Sequence, residues 1–332
     1  MIVVNWNCCE LLRDCLNSLK QQEVITFETI VVDNGSEDGS AEWLEAQGGE
    51  IRLIRNRENR GFCAGNNQGI ELAKGKYVAL LNNDAVADRA WLSKLVEAIE
   101  SDSEVGMVAS KIVRFGTPDI IDKTGHLIYP DGQNRGRGTG EKDRGQYDSP
   151  GETAWPDGCA ALYRRDMLDE IGGFDETFFA YADDAELGLR ARIAGWKCFY
   201  APQAVVRHRV GSTLGRYSER RLFLIERNRI WLVAKLFPLR MWPMIPLYAT
   251  LRWAATAWSA LRGRGEAGQA ASELSLLRLA SCIIRANIAA LMGLPRVLRR
   301  RTQLRRLRKL SGSEVAALLR RFRIKLGDLV ES

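Results

Sequence analysis

Histidine is nearly absent: His126 and His208 are the only two in 332 residues. With so few imidazoles, a structural zinc site is not expected. The seven cysteines (Cys8, Cys9, Cys15, Cys63, Cys159, Cys198 and Cys282) are odd in number and form no C-x-x-C pair. That pattern argues against a disulfide framework and fits reduced thiols in a cytosolic compartment. Thirty Gly and nine Pro follow no period, which removes collagen-like and low-complexity readings. A phosphate loop is excluded, because no G-x-x-x-x-G-K-[ST] occurs. Met1 leads straight into Ile2-Val3-Val4 without a basic n-region, so no secretory signal is expected. A long uninterrupted apolar run is also lacking. The stretch 241–261 is broken by Pro243, Pro246 and Arg252, and makes a poor spanning helix.

What is present is ordinary globular material, 46 % hydrophobic and 27 % charged, which excludes wholesale disorder. Its charge is unevenly placed. Residues 1–210 hold 24 Lys/Arg against 34 Asp/Glu, a net of −10. Residues 211–332 hold 24 against 7, a net of +17, which gives the overall +7. An acidic body joined to a basic tail implies cation-dependent chemistry in the first and an anionic partner for the second.

The first 110 residues alternate between two periods. Apolar runs at 2–4, 29–32, 51–54 and 77–81 read as strands. Helical spacing follows in Leu11, Leu12, Cys15, Leu16 and Leu19, and again over 40–47, 66–73 and 91–99. Strands alternating with helices imply βαβ units and a mostly parallel sheet. Such sheets bind ligands beyond the carboxyl ends of their strands. Three strands end in polar clusters, Asn5-Trp6-Asn7, Asp33-Asn34-Gly35 and Asn82-Asn83-Asp84, which are therefore expected on one sheet edge. Residues 116–152 are rich in Gly, Asp and Arg without clear period, and read as an irregular excursion. Residues 184–194 read as a helix stopped by Gly195.

Five constellations carry chemistry. Asp33 at a strand end can accept from a ribose or a pyrimidine imide, although Asp-Asn-Gly-Ser is also a turn. Asn82-Asn83-Asp84 offers oxygen ligands of the kind Mg²⁺ or Mn²⁺ takes, or a capped turn. Asp183, Asp184 and Glu186 crowd three carboxylates into four residues, a setting that can raise one pKa toward a general base's range. His208 follows the apolar Val205-Val206 and is a candidate metal ligand. Trp155-Pro156-Asp157-Gly158 pairs an indole plane with a carboxylate, a combination that suits a sugar.

In order and spacing, several motifs resemble one family. They are Val3-Val4-Asn5-Trp6-Asn7, Val32-Asp33-Asn34-Gly35-Ser36, Asn59-Arg60-Gly61-Phe62-Cys63-Ala64-Gly65-Asn66-Asn67, Leu80-Leu81-Asn82-Asn83-Asp84, Gly172-Gly173-Phe174-Asp175 and Tyr181-Ala182-Asp183-Asp184. Together they resemble the family 2 inverting glycosyltransferases of the GT-A fold, from residue 2 to about 212. The Asn-Trp-Asn and Leu-Leu-Asn-Asn-Asp variants look most similar to the bacterial rhamnosyltransferase-like branch, which builds surface polysaccharides. The resemblance implies an α/β catalytic domain over 1–212, with a mostly parallel sheet flanked by helices and a helical extension over 213–332. It implies that Asn7, Asp33, Gly61, Asn67 and Asn83 bind the nucleotide sugar and that Asp84 and His208 hold Mg²⁺ or Mn²⁺. By the same resemblance Asp184 is the base, and Trp155, Asp157 and Gly158 form the acceptor pocket. Asn82 departs from the aspartate many members carry at the first metal position. Asp183 and Glu186 invert the usual carboxylate lengths, which leaves the choice among the three acids open.

The expected reaction moves a sugar from a dTDP- or UDP-linked donor, rhamnose among the candidates, to a lipid-linked or polysaccharide hydroxyl. Apolar residues over 274–292 place Arg278 and Arg285 on a shared helix face, an interfacial pattern. Residues 296–309 add eight basic side chains and no acid. An anionic membrane surface is the expected partner, at the inner face of the plasma membrane, with no nucleic acid. The alternatives are a metal-dependent nucleotidyltransferase and a non-catalytic basic protein that binds membrane or nucleic acid.

Overall fold

The computed structural model describes residues 1–211, 215, 218–263 and 275–331. The expected boundary at 212/213 and the start of the expected helix at 274 lie outside these residues. The chain divides into two compact units, one of Met1–His126 with Gly136–Thr213, the other of Leu127–Arg135 with Leu214–Ser332.

The first unit is built on one ten-stranded sheet. Its N-terminal half consists of β1 (Ile2–Asn5), β2 (Thr29–Asp33), β3 (Ile51–Arg55) and β4 (Tyr77–Leu81), in the spatial order β3-β2-β1-β4 and all parallel. These are near-continuous β-branched and aliphatic runs, as strands buried on both faces require. Between them come α1 (Cys9–Lys20), α2 (Ser40–Ala46) and α3 (Gly61–Leu72), with α4 (Trp91–Glu100) after β4. Leu12, Cys15, Leu16 and Leu19 of α1 bury one face at helical spacing, as do Trp91, Leu92, Leu95 and Ile99 of α4. The register sets Asn5 beside Asp33, so two polar side chains reach the same edge.

Beyond β4 the sheet is mixed. β5 (Ala85–Ala87) and β6 (Val105–Arg114) precede β7 (Thr117–Lys123), which folds back on β6. β8 (His126–Ile128) pairs with β9 (Asn134–Gly136), and β10 (Gly151–Glu152) lies at the sheet border. β11 (Ala160–Arg164) inserts antiparallel between β4 and β6. α5 (Arg165–Ile171) and α6 (Asp183–Ile193) follow, and β12 (Lys197–His208) closes the unit alongside β6 in parallel. The segment 116–152 is thus not irregular throughout. Its strands are only two to seven residues long and punctuated by Gly125, Gly132, Gly138, Gly140 and Gly145, all at positive φ. Pieces that short leave no readable period. All seven cysteines are free thiols.

The second unit is helical: α7 (Glu219–Leu236), α8 (Ile245–Leu261), α9 (Leu276–Gln303), α10 (Gly312–Arg321) and α11 (Leu326–Glu331). Cys282, Ala286, Ala290 and Val297 form the buried face of α9. Trp231 of α7 fits there, with its Nε1 donating to the Ala290 carbonyl at 3.0 Å. A Cβ at Gly293 would stand 2.5 Å from the Trp231 ring, so glycine sets this approach. Inside the unit, Arg252 of α8 forks onto Glu226 of α7 at 2.9 and 3.0 Å and reaches Asp131 at 2.7 Å. Arg229 completes this buried four-residue cluster, 3.3 Å from Asp131. Removing any one member would strand a buried charge.

Candidate active site

Asp33 ends β2 fully buried. Its Oδ1 accepts from the Ser36 amide at 3.0 Å, while Oδ2 is buried with no partner. An acceptor left unpaired inside a protein costs about 1–3 kcal/mol, so this oxygen is poised for a ligand donor. Ser36 Oγ accepts from the Asn5 side chain at 3.2 Å and from the Asn7 amide at 2.9 Å. Asn7 sits at φ +50° and its Oδ1 accepts from the Glu37 amide at 2.7 Å. Asn83 donates to Asn5 Oδ1 at 2.7 Å. One hydrogen-bonded rim thus joins the ends of β1, β2 and β4.

Next along this rim, Asp84 is buried, with Oδ1 3.3 Å from His208 Nε2 and otherwise unpartnered. The β12–β5 register sets His208 opposite Ala85, which explains how two residues 124 apart in sequence meet. His208 Nδ1 lies 2.9 Å from Asp122, and Asp122 is 3.8 Å from the Lys123 ammonium. Lys123 binds Asp157 at 2.7 Å. Asp157 Oδ2 is 2.9 Å from His126 Nε2, which in turn is 3.2 Å from Asp184 Oδ2. Two runs of polar contacts therefore meet at the Asn83–Asp84 peptide: one joins Asp33 to Asn83 through Ser36 and Asn5, the other joins Asp84 to Asp184 through His208, Asp122, Lys123, Asp157 and His126.

The electrostatics sort these groups. Burial raises the Asp157 carboxyl, but Lys123 and His126 outweigh it and hold it well below its usual range. Burial lowers His126, and Asp184 with Asp157 overrides this and lifts the imidazole to about 9. Burial and the adjacent Asp184 push Asp183 well above the usual carboxylate range, which favours its neutral form. Glu186 is wholly buried on Arg190, at 2.7 and 3.0 Å, and Arg190 grips the carbonyls of Ile171, Gly172 and Gly173. Of the three acids in this turn, Asp184 alone joins these polar runs.

The remaining expected residues have other surroundings. Asn67 clamps a loop, bonding the Phe174 amide at 2.8 Å and the Phe174 carbonyl at 2.9 Å. Gly61 stands at φ +88°, where a Cβ would come within 2.6 Å of the Phe179 ring. Its carbonyl accepts from Asn34 at 3.1 Å. Trp155 is buried beneath His126, with rings 6.2 Å apart and 19° from parallel, and Gly158 lies against Phe62. The segment delivering Asp184 is strained: Phe179, Tyr181 and Ala182 adopt φ of 67°, 66° and 56°. Non-glycine residues hold such angles at a cost of about 1–3 kcal/mol each, typical of functional sites. Sequence reasoning missed Asp122, Lys123 and His126, all within the segment read as irregular. The scarcity of histidine was the one signal that singled out His126.

Two places can attract a cation. His126, Asp157 and Asp184 bring their ligand atoms within 4.8 Å of one another. There Lys123 already neutralises Asp157, and the imidazole occupies the gap between the two carboxylates. Asp84 and His208 are the better seat. They join a hard oxygen to an imidazole nitrogen, and His208 Nε2 at 3.3 Å is the sole polar partner of the buried Asp84 Oδ1 among the described residues.

The model of glycosyl transferase family 2 matches residues 1–172, and the chain belongs to that family. An N-acetylglucosaminyl-diphospho-decaprenol L-rhamnosyltransferase of Mycobacterium tuberculosis is 28 % identical over 270 residues, covering 70 % of this chain and 85 % of that protein. Against three other curated relatives the match spans only 16 to 28 % of their length. Among solved structures, GalNAc-T7 with UDP, GalNAc and Mn²⁺ superposes with a TM-score of 0.59 at 15 % identity, over 74 % of this chain and 48 % of that one. The mannosyltransferase PcManGT of Pyrobaculum calidifontis, with GDP-Man and Mn²⁺, gives 0.52 at 19 % identity, over 89 % and 86 %. These neighbours establish the fold as the GT-A type with a helical C-terminal region.

Proposed function

We propose that the chain transfers a sugar from a nucleoside-diphosphate sugar to an acceptor hydroxyl with inversion at the anomeric carbon. The observation that carries this is the pair of polar runs that meet at Asn83–Asp84, with a buried carboxylate oxygen of Asp33 that has no partner among the described residues at one end and Asp184 of a strained turn at the other. Asp33, Asn7, Asn83 and Gly61 form the donor pocket, with Asn67 fixing its wall. Asp184 takes the proton from the acceptor hydroxyl as that oxygen attacks the anomeric carbon. The nucleoside diphosphate departs from the opposite face. Asp84 and His208 would hold Mg²⁺ or Mn²⁺, whose charge would offset that of the leaving diphosphate. Trp155, Asp157 and Gly158 border the acceptor side.

The donor is proposed to be dTDP- or UDP-linked, with rhamnose favoured by the mycobacterial relative. The acceptor is proposed to be lipid-linked, on the cytoplasmic face of the plasma membrane. Residues 1–212 form the catalytic domain in this reading, and 213–332 the membrane-associating region. Support comes from α8, which exposes Leu247, Leu251, Trp258 and Leu261, and from α9, which exposes Leu277, Ile284, Ile288 and Leu291. Basic residues over 296–309 follow directly, each worth about 1 kcal/mol near anionic lipid.

A thermal-shift series with dTDP-rhamnose and UDP-sugars, with and without Mn²⁺, is the test. Stabilisation by one of them that requires its sugar nucleotide moiety is expected. Asp184→Asn should then keep donor binding and lose about 10²–10⁴-fold in turnover. Near-wild-type turnover by this variant would remove Asp184 as the base, and no shift with any sugar nucleotide would remove the transferase reading.

A further inference from the structure

His126 has no part in the reaction as set out above, yet it is buried between the proposed base and the acceptor-side acid. Its Nε2 faces two carboxylates, Asp157 at 2.9 Å and Asp184 at 3.2 Å. The ring is fixed from below by the parallel Trp155 indole, and from behind by the backbone bond from the His126 amide to the Trp155 carbonyl at 3.2 Å. Gly125 stands just before it at φ +93°, where any Cβ would collide with Thr153. This turn therefore admits only glycine, and it aims the imidazole at α6. Among the described residues His126 Nδ1 is buried with no partner, so the ring's polar contacts there converge on the two acids.

We propose that His126 is the positioning residue of the base: its Nε2–H holds Asp184 in one orientation and ties it to the Asp157–Lys123 ion pair. The inference rests on the proposed role of Asp184. The charged groups facing the imidazole are Asp157 before β11, Asp183 and Asp184 on α6, and Lys123 of β7 through Asp157. Burial and Asp184 favour the neutral form of Asp183, and Lys123 balances Asp157, which leaves the imidazolium to pair with Asp184. As the pH rises through about 9 the imidazolium is lost, and that pairing goes with it.

Two histidines per chain make this directly observable. In full-length protein labelled at histidine, NMR titration separates the two rings, and His126→Gln assigns the signal that disappears. The His126 midpoint is expected near 9 in the wild type, falling by about one unit or more in Asp184→Asn. An ordinary midpoint near 6.5 in the wild type, or one that Asp184→Asn leaves in place, overturns the proposal. A kinetic arm uses dTDP-rhamnose with Mn²⁺. His126→Gln should lower kcat, leave the donor KM within about twofold, and move the acid limb of kcat upward by about one pH unit. A fall in kcat with an unmoved acid limb would mean that His126 only packs, and would also overturn the proposal. Should the variants fail to fold, titration of the wild type decides by its midpoint. Retained turnover in Asp184→Asn would count against the base assignment, while the NMR result still reports on the ion pair.

Discussion

At the scale of single residues, the site is defined by polar atoms that folding leaves unfinished. Among the described residues, Asp33 Oδ2 has no partner and Asp84 Oδ1 has only the His208 imidazole at 3.3 Å; Asp33 ends β2, and Asp84 lies between β4 and β5 of the same sheet. A carboxylate that stabilised the fold would have its oxygens satisfied, as those of Glu226 are by Arg252 and Arg229. Asp33→Asn separates the two roles. It keeps the shape and removes a buried charge, so stability should hold or rise slightly by thermal melting. The amide presents a donor where the nucleoside needs an acceptor, and sugar-nucleotide affinity should fall about 10–100-fold by calorimetry. Unchanged affinity would show that Oδ2 does not face the donor.

At the scale of elements, the N-terminal half was legible in the sequence because its strands are long, apolar and separated by amphipathic helices. β1 to β4, α1 and α6 fall within a residue or two of their periodic patterns. The antiparallel insertion of β11 and the short β7 to β10 were not legible, since pairing there is set by partners distant in sequence. That hidden portion carries Asp122, Lys123 and His126, so the half of the site nearest the base was the part least visible. Asp183, Asp184 and Glu186 were equally unreadable as individuals: only burial, Arg190 and mutual repulsion assign each a different state. Local geometry at α3 gives the test. Gly61 starts that helix in a left-handed conformation against Phe179, whose carbonyl also accepts from the Cys63 amide at 3.1 Å. Gly61→Ala adds both backbone strain and a clash, a loss of about 1–3 kcal/mol. It should also displace the 179–182 turn that leads into Asp184. A lowered melting temperature together with reduced turnover is expected; a variant that melts and turns over like the wild type would show that this contact does not matter.

At the scale of the whole molecule, the acidic and basic portions of the chain meet different demands. The N-terminal unit gathers Asp84, Asp122, Asp157 and Asp184 around two histidines, whereas the helical unit exposes apolar side chains. Exposed aliphatics on α9 recur at Leu277, Ile284, Ile288 and Leu291, one face of a helix, while the opposite face is spent on α7. The stretch Leu277–Leu307 is also long and apolar enough to cross a membrane by length and composition. An interfacial helix and a spanning helix differ in how they let go. If α9 lies in the interface, the full chain should float with phosphatidylglycerol vesicles, bind neutral vesicles weakly, and be released by carbonate at high pH. Screening at about 1 M salt should weaken attachment further, because the Debye length shrinks to about 3 Å. Ile284→Asp with Ile288→Asp changes only exposed positions, so folding should survive. These two charges should reduce flotation on anionic vesicles at least about tenfold, since each replaces apolar insertion with a desolvation penalty. Flotation that resists carbonate would make α9 a spanning helix, and the absence of flotation on any vesicle would return this face to the protein's own surface.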